Sequence, residues 1–242
     1  MILTFTDFGR DGPYLAEMHL AIRRESEYVA ILDLVSDLAP FRPLEAGHLL
    51  AALSVQAPAE SVFLCVVDPG VGSARMPVAL QAEGRWFVGP DNGLLDVVAA
   101  RAKKPRWWQI SWRPENLSAS FHGRDLFAPV AARLAAGEAL DEAGCRPLEH
   151  ALPADADLEA IVYVDRYGNC ITGLRAVGLA ENKRLRVGAR LIPHARTFSA
   201  IEPGAAFWYG NSSGLVEFAV NQGRADRLLE LGVGSPFGVV AS

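Results

Sequence analysis

The feature that most constrains the fold is an alternation of short apolar runs with amphipathic stretches along the first half of the chain. This alternation is typical of strands and crossover helices in a parallel or mixed sheet. The predicted strands cover residues 2–6, 28–34, 62–67, 78–81 and 86–89, and the predicted helices cover residues 14–24, 43–57, 94–102 and 126–136. We therefore expect residues 1–150 to form an α/β sandwich domain with a mostly parallel central sheet.

The second half of the chain has a different residue pattern. After about residue 151, glycine, asparagine and proline interrupt short apolar runs, and only residues 223–231 favour a helix. The predicted strands cover residues 160–165, 169–174, 183–187, 190–192, 206–209 and 215–220. We expect residues 151–242 to form a smaller β-barrel domain, joined to the first by an acidic, proline-bearing linker at residues 147–157.

Composition excludes several classes of protein. Half of the 242 residues are hydrophobic, yet the longest apolar runs are far shorter than the roughly 20 residues that span a membrane. The N-terminus lacks the basic flank and cleavage site of a signal peptide, which indicates a cytoplasmic protein. The three cysteines lack metal-binding or disulfide spacing, and a net charge of −5 with interleaved acids and bases argues against a nucleic-acid surface. We expect neither a membrane nor a nucleic acid as partner.

Two aspartates follow predicted strands, where ligands bind in open α/β sheets. Asp7 could accept two hydrogen bonds from a ribose diol, or it could cap a turn. Asp68 opens a segment with two glycines, and Arg75 could return to pair with Asp68, either at a ligand site or as a plain loop salt bridge. The segment matches neither a Walker A loop nor GxGxxG, so phosphate binding is disfavoured.

Two further segments precede predicted helices. Residues 89–93, Gly-Pro-Asp-Asn-Gly, have the composition of a tight turn and helix cap, which favours a structural role for Asp91. Residues 121–125 contain His122, which could hold a water molecule in its neutral form or serve packing alone.

In the second half, two polar segments lie between predicted strands and fit hairpin turns. In the first, Asp165 offers a carboxylate for an ammonium group and Asn169 offers an amide for a base edge. The second begins at Asn211 and continues through Ser212, with the same choice between turn and ligand site. Both interpretations stay open at these positions.

Together, these segments resemble the S-adenosylmethionine hydroxide adenosyltransferase family, which is related to fluorinating and chlorinating enzymes. The likeness covers nearly the whole chain and rests on residues 6–9, 67–72 with Arg75, 89–93, 121–129, 165–169 and 211–219. The resemblance implies an N-terminal α/β domain, a C-terminal β-barrel, and a homotrimer with the substrate between the N-terminal domain of one subunit and the C-terminal domain of the next. It implies no metal and no cofactor.

The resemblance also implies roles for individual residues. Asp68, Arg75 and His122 match the triad that positions the attacking water or hydroxide. The implied substrate-binding residues are Asp7 for the ribose diol, Phe41 as an aromatic wall, Asp165 and Ser212 for the methionine moiety, Asn169 for adenine, and Asn211 at the start of the C-terminal motif. Two positions depart from the family pattern: Gly12 stands where an aspartate is common, and Ser213 stands where fluorinating enzymes have an arginine.

The expected activity is cleavage of S-adenosylmethionine at ribose C5′ by water or hydroxide, giving adenosine and L-methionine. Halide attack is a rival, but the carboxylate of Asp68 would repel a halide ion. A non-catalytic adenosine or S-adenosylmethionine binder that regulates a partner is a second alternative. A third is a metal-dependent hydrolase using Asp7, Asp68, Asp91 and His122, which lack compact ligand spacing.

Overall fold

The structure is a computed structural model that describes residues 1–151 and 154–240. The chain forms two compact units: residues 1–50 with 56–155, and residues 51–55 with 156–242. Among the described residues, no helix has the length and apolar character needed to cross a membrane.

The first unit is built on a seven-stranded sheet. Its strands are β1 (Ile2–Thr6), β2 (Ile31–Val35), β3 (Val62–Val66), β4 (Pro77–Ala82), β5 (Arg85–Pro90), β6 (Arg106–Ile110) and β7 (Cys145–Leu148), in the order β2-β1-β3-β5-β4-β6-β7. The pairs β1–β2, β1–β3 and β3–β5 are parallel, whereas β4–β5, β4–β6 and β6–β7 are antiparallel. The sheet is therefore mixed, which corrects the expectation of a mostly parallel sheet.

The antiparallel pairing of β4 with β5 follows from a short connection. A two-residue turn joins β4 to β5, and both of its residues, Glu83 and Gly84, have left-handed φ angles of 49° and 76°. Such turns match the twist of a hairpin, whereas a parallel pair needs a crossover of about a dozen residues or more. β6 and β7 lie in segments for which the sequence pattern predicted no strand.

Four α-helices lie between strands of this sheet in the chain order. They are α1 (Tyr14–Glu25), α2 (Pro43–Ser54), α3 (Asp96–Arg101) and α4 (Ala128–Ala136), and a π-helix, Gly123–Phe127, runs directly into α4. In α1 the buried residues recur three and four positions apart, as expected for one apolar face: Leu15, Met18, Ala21 and Ile22. This face packs against α4. The four predicted helices are thus confirmed, with ends shifted by up to three residues.

The second unit contains two antiparallel sheets. Its elements are β8 (Leu158–Val164), β9 (Cys170–Arg175), β10 (Leu185–Val187), β11 (Arg190–Ile192), a 3₁₀ helix at Phe198–Ala200, β12 (Ala206–Gly210), β13 (Leu215–Val220), α5 (Ala225–Leu228) and β14 (Gly238–Val239). One sheet has the order β12-β13-β9-β8 and the other β11-β10-β14. All six predicted strands are present, and the predicted helix at residues 223–231 is shorter, as α5.

The predicted linker at residues 147–157 is partly strand, because β7 continues to Leu148. Residues 152 and 153 of this linker lie outside the described residues. The linker ends where predicted, since β8 begins at Leu158.

Candidate active site

Two aspartates emerge at the same edge of the seven-stranded sheet. β1 and β3 are parallel neighbours; Asp7 directly follows β1, and Asp68 lies two residues beyond the end of β3. Both line a cavity of about 100 Å³ together with Phe41 and His122. The fold thus brings these four predicted residues together, because crevices in α/β sheets open beyond the carboxyl ends of the strands.

Asp68, Arg75 and His122 are joined by hydrogen bonds. The Nε of Arg75 donates to Oδ1 of Asp68 at 2.7 Å, and its Nη2 donates to the other carboxylate oxygen. The same Nη2 donates to Nδ1 of His122 at 3.1 Å. Only 9% of the Arg75 side chain and 5% of the Asp68 side chain are exposed. The ion pair is therefore bidentate and largely desolvated, which fixes the orientation of both groups.

The loop that carries Arg75 is held by close backbone contact. Gly72 has a φ of +79°, and a Cβ there would lie 2.6 Å from the carbonyl oxygen of Ala119. Any other residue would push the loop away from the segment that leads to the π-helix. The guanidinium of Arg75 also lies over the ring of Phe127 at 5.2 Å, a favourable cation–π contact.

His122 immediately precedes the π-helix, a rare element that is frequent at functional sites. Burial and the neighbouring positive charge of Arg75 lower the pKa of His122 below its ordinary value. Because an arginine can only donate, Nδ1 of the neutral ring accepts and Nε2 carries the proton. His122 therefore offers a hydrogen-bond donor at Nε2.

A second guanidinium lies within electrostatic range of this network. Arg113 donates to the carbonyl oxygens of Ile110 and Trp112, both at 2.7 Å, and it has no ion pair among the described residues. Burial and the charge of Arg75 lower the pKa of Arg113. Arg113 is a residue that sequence reasoning missed, because a single arginine outside any motif gives no signal.

Asp7 is a titratable group with a perturbed pKa, as active sites often contain. Burial raises the pKa of Asp7 to about 6, and the nearby Asp68 carboxylate adds to the rise. Asp7 is thus ionised near neutral pH and available as an acceptor of two hydrogen bonds.

Phe41 presents an exposed aromatic ring to the cavity. About three quarters of the residue, 76%, is exposed, and its φ of 64° lies in a region that few residues other than glycine adopt. Strained backbone is often found at ligand sites, so this geometry suits an aromatic wall.

In the second unit, Asp165 and Asn169 form the hairpin turn between β8 and β9. The two oxygens of Asp165 accept the backbone N–H and the side-chain N–H of Asn169, at 2.8 and 2.9 Å. Gly168 has the left-handed φ, 85°, that this turn requires. The hairpin interpretation is confirmed, and the turn also fixes the side-chain amide of Asn169.

Asn211 organises the hairpin turn between β12 and β13. Its Oδ1 accepts the backbone N–H groups of Ser213 and Leu215, both at 3.0 Å. Its Nδ2 donates to Oε2 of Glu217 at 2.8 Å. Ser212 lies inside this turn, directly after Asn211.

Glu217 and Tyr209 are polar residues of this region that sequence reasoning missed. The hydroxyl of Tyr209 donates to Oε1 of Glu217 at 2.6 Å. Burial raises the pKa of Glu217, and the Asp165 carboxylate lies close enough to raise it further. The turn of Asp165 and the turn of Asn211 therefore lie in one region of the second unit. The signal in the sequence was a lone glutamate in an otherwise apolar strand.

Asp91 contacts His150, and it does not lie in one group with Asp7, Asp68 and His122, the other residues of the hypothetical metal site. Nε2 of His150 lies 3.1 Å from Oδ1 of Asp91, and Asp96 is the third potential ligand nearby. Among the described residues, this is the one group of three potential metal ligands, and it includes none of Asp7, Asp68 and His122. A structural role for residues 89–93 is supported, because Asn92 donates to the carbonyl of Val67 at 2.9 Å and accepts the backbone N–H of Leu94 at 3.3 Å. The connection lies later in the chain than expected, since β5 continues to Pro90 and α3 begins only at Asp96.

Two family profiles match the chain. The profile described as the SAM hydroxide adenosyltransferase N-terminal domain matches residues 2–144, and that of the C-terminal domain of the same family matches residues 159–237. Together they cover both compact units.

Several named relatives match over most of the chain. A protein of Salinispora arenicola named (R)-S-adenosyl-L-methionine hydrolase is 38% identical, over 98% of this chain and 96% of its own. A protein of Thermus thermophilus with the same name is 37% identical, over 96% of each. A crystal structure of an uncharacterized conserved protein from Thermotoga maritima is 31% identical, with a TM-score of 0.89 over 100% of both chains. A fluorinase from Nocardia brasiliensis is more distant, at 26% identity over 80% of this chain.

Proposed function

The chain belongs to the SAM hydroxide adenosyltransferase family, and from this premise we propose that it hydrolyses S-adenosylmethionine. Water or hydroxide attacks ribose C5′, the bond from C5′ to sulfur breaks, and adenosine and L-methionine leave. The observation that carries the proposal is the hydrogen-bonded chain of Asp68, Arg75 and His122 at a cavity beyond the strand ends. The names of the relatives support the same activity.

The chemistry of the substrate explains why the site must position or activate the nucleophile. A sulfonium sulfur departs as a neutral thioether and takes the electron pair of the broken bond, so no general acid is needed. The attacking oxygen keeps its new bond to C5′ and loses one proton to give the 5′-hydroxyl. The site must therefore hold water in line or favour hydroxide, whose formation from bulk water is costly at a pKa of about 15.7.

His122 orients the nucleophile in this proposal and does not remove its proton. Its Nδ1 is already occupied by the Arg75 donor, so the free ring nitrogen carries a hydrogen. A donor at that position stabilises a hydroxide or holds the water oxygen. Asp68 then remains as the acceptor for a water proton or hydrogen bond, since each carboxylate oxygen can accept a second hydrogen bond.

The positive potential that favours hydroxide comes from two arginines. Arg75 is neutralised locally by its bidentate pair with Asp68, whereas Arg113 has only carbonyl partners among the described residues. A fixed positive charge near the nucleophile stabilises an anion in a partly desolvated site. Arg113 therefore assists Arg75 in the proposed mechanism.

We propose the substrate contacts that the family resemblance implies. Asp7 binds the ribose diol and Phe41 packs beside the ribose. In the second unit, Asp165 and Ser212 bind the methionine moiety, and Asn169 binds adenine. Asn211 completes this set through the turn that it organises.

The wider organisation of the protein is also a proposal. We infer a homotrimer with active sites at subunit interfaces, an N-terminal domain over residues 1–150, and a C-terminal domain over residues 151–242 that closes as a β-barrel. We infer a cytoplasmic location, which the three buried, free cysteines support because disulfides are rare there. We also propose that the reaction uses no metal and no cofactor, since the leaving group needs no Lewis acid.

A direct experiment separates the candidate functions. Purified, chelator-treated protein is incubated with each sulfonium epimer of S-adenosylmethionine in water labelled with heavy oxygen, with and without chloride, and the products are measured by mass spectrometry. Adenosine labelled at the 5′-oxygen, with methionine, is the expected result, and the relatives' names lead us to expect it from the R epimer. A chlorinated nucleoside would instead identify halide attack, and ligand-induced thermal stabilisation without product would identify a binding protein.

A further inference from the structure

Glu217 is an unusual residue for its place in the fold. It lies in β13, a central strand flanked by β12 and β9, and the other five residues of the strand are hydrophobic. Glu217 is only 5% exposed, and it has no ion pair among the described residues. A buried carboxylate without a cationic partner destabilises a fold unless hydrogen bonds compensate it.

The two oxygens of Glu217 hold two different side chains. Tyr209 lies directly opposite in the strand register and donates its hydroxyl hydrogen to Oε1 at 2.6 Å. Asn211 donates from Nδ2 to Oε2 at 2.8 Å. Both partners are neutral, and both come from β12 or the turn that follows it. Glu217 therefore fixes the end of β12 and the beginning of the turn.

The contact with Asn211 decides how the turn is built. A side-chain amide has a donor end and an acceptor end, and the carboxylate selects the donor end. The acceptor end then faces the backbone N–H groups of Ser213 and Leu215, which it binds at 3.0 Å. With the amide reversed, both sets of hydrogen bonds would be lost. The conformation of the turn around Ser212 thus depends on Glu217.

We propose that Glu217 is a positioning residue for the methionine end of the substrate, acting through Asn211 on the turn that carries Ser212. The inference rests on the proposed function, which assigns Ser212 and Asp165 to the methionine moiety. Glu217 itself is too buried to contact the substrate. Its task is to hold the amide of Asn211 in one orientation before the substrate binds, which reduces the ordering cost of binding.

The proposal is tested by exchanging the amide at position 211 and the carboxylate at position 217. In Asn211→Asp, two carboxylates face each other and the donor is lost. We expect KM for S-adenosylmethionine to rise by about tenfold, while kcat and the affinity for adenosine change by less than about threefold. Adding Glu217→Gln restores a donor and an acceptor in the reverse direction, while the new carboxylate at position 211 still accepts the two backbone N–H groups. The double variant should recover KM to within about threefold of the wild type.

Each other outcome overturns the inference. Failure of the double variant to recover would mean that the amide of Asn211 serves the substrate directly. A fall in kcat at constant KM would mean that the variants merely lose folded protein. Should Asn211→Asp fail to fold, Glu217→Leu replaces it, with the same rise in KM expected and an unchanged KM contradicting the proposal. The control is Glu159→Gln, an exposed glutamate of the same unit, which should leave KM unchanged.

The wild-type assay keeps this inference separate from the proposed function. If the wild-type protein forms no adenosine, the proposed function fails first. If the wild type turns over normally and the exchange does not recover KM, only the role of Glu217 fails.

Discussion

The carboxylates of the two polar clusters, one around Asp68 and one around Asp165 and Glu217, are compensated in different ways. In the first unit, the carboxylate of Asp68 is neutralised by a bidentate arginine that also reaches His122. In the second unit, the carboxylates of Asp165 and Glu217 are held by amide, hydroxyl and backbone donors, without an ion pair among the described residues. Arg224, which lies within electrostatic range of Asp165, is itself bound to Asp226.

In the proposed mechanism, this difference separates two tasks that one substrate requires. A site that stabilises hydroxide gains when the carboxylate beside the nucleophile is compensated by a cation, as Asp68 is by Arg75. A site for a sulfonium and an α-ammonium group gains from uncompensated negative charge, because the ligand supplies the missing cation. We therefore expect substitutions in the first cluster to change kcat and substitutions in the second to change KM.

The largest effect should come from Asp68→Ala, which removes an acceptor for the nucleophile and leaves Arg75 without its partner. We expect kcat to fall by about 10³-fold while KM changes by less than about threefold. Steady-state adenosine formation measures both values, with the exposed Asp141→Ala as control. Full turnover of Asp68→Ala would contradict the expectation that the first cluster determines kcat, because the ion pair would then be structural only.

Two substitutions of His122 sharpen the role of the same cluster. His122→Ala should lower kcat by about 10²-fold, whereas His122→Gln, which can present an N–H near the position of Nε2, should lower it by only about tenfold. Equal losses in the two variants would point to proton abstraction by the ring, which glutamine cannot perform. Single-turnover measurements would separate this effect from product release.

Asp165→Asn tests the second cluster by removing one of its two carboxylates. We expect KM for S-adenosylmethionine to rise by about tenfold with kcat nearly unchanged, because the ammonium group loses its counter-charge. The variant retains a side-chain oxygen that can accept the N–H of Asn169. A fall in kcat with constant KM would contradict the division of tasks between the clusters.

The smallest effect concerns stability and pH at Asp7. Its pKa is raised from 3.8 to about 6 by burial, so the folded protein binds this proton more tightly than the unfolded chain. The favourable contribution of the protonated carboxyl is complete below about pH 4 and is lost as pH rises through about 6. Asp7→Asn should therefore melt at a higher temperature than the wild type at pH 8, and this advantage should vanish at about pH 4.

Ionisation of Asp7 should raise the activity, although it lowers the stability of the fold. Wild-type kcat/KM should increase as pH rises through about 6, because in the proposed site only the ionised carboxylate can accept both ribose hydroxyls. Asp7→Asn should be less active and lack this increase. A pH profile of Asp7→Asn that keeps the wild-type shape would assign the titration to another group.

Local patterns in the sequence were sufficient for much of the fold and of the candidate site. β1, β11 and β13 have the predicted bounds, and α1 differs by one residue, because each has a clear apolar period or clear turn residues at its ends. The placement of Asp7 and Asp68 at strand ends also followed from the pattern alone. The antiparallel half of the first sheet did not, because β6 and β7 depend on long-range pairing that no local period encodes.

By itself, the sequence determined most of the strands and helices, which polar residues follow them, and which family the motifs resemble. Only the tertiary structure decided which atoms of those residues meet. The hydrogen on Nε2 of His122 follows from Arg75, 47 residues away in the chain. The roles that we propose for Arg113 and Glu217 rest on the charges and donors packed around them. Hydrogen bonds and electrostatic interactions depend on distances of a few ångströms, and folding sets these distances between residues that are remote in sequence.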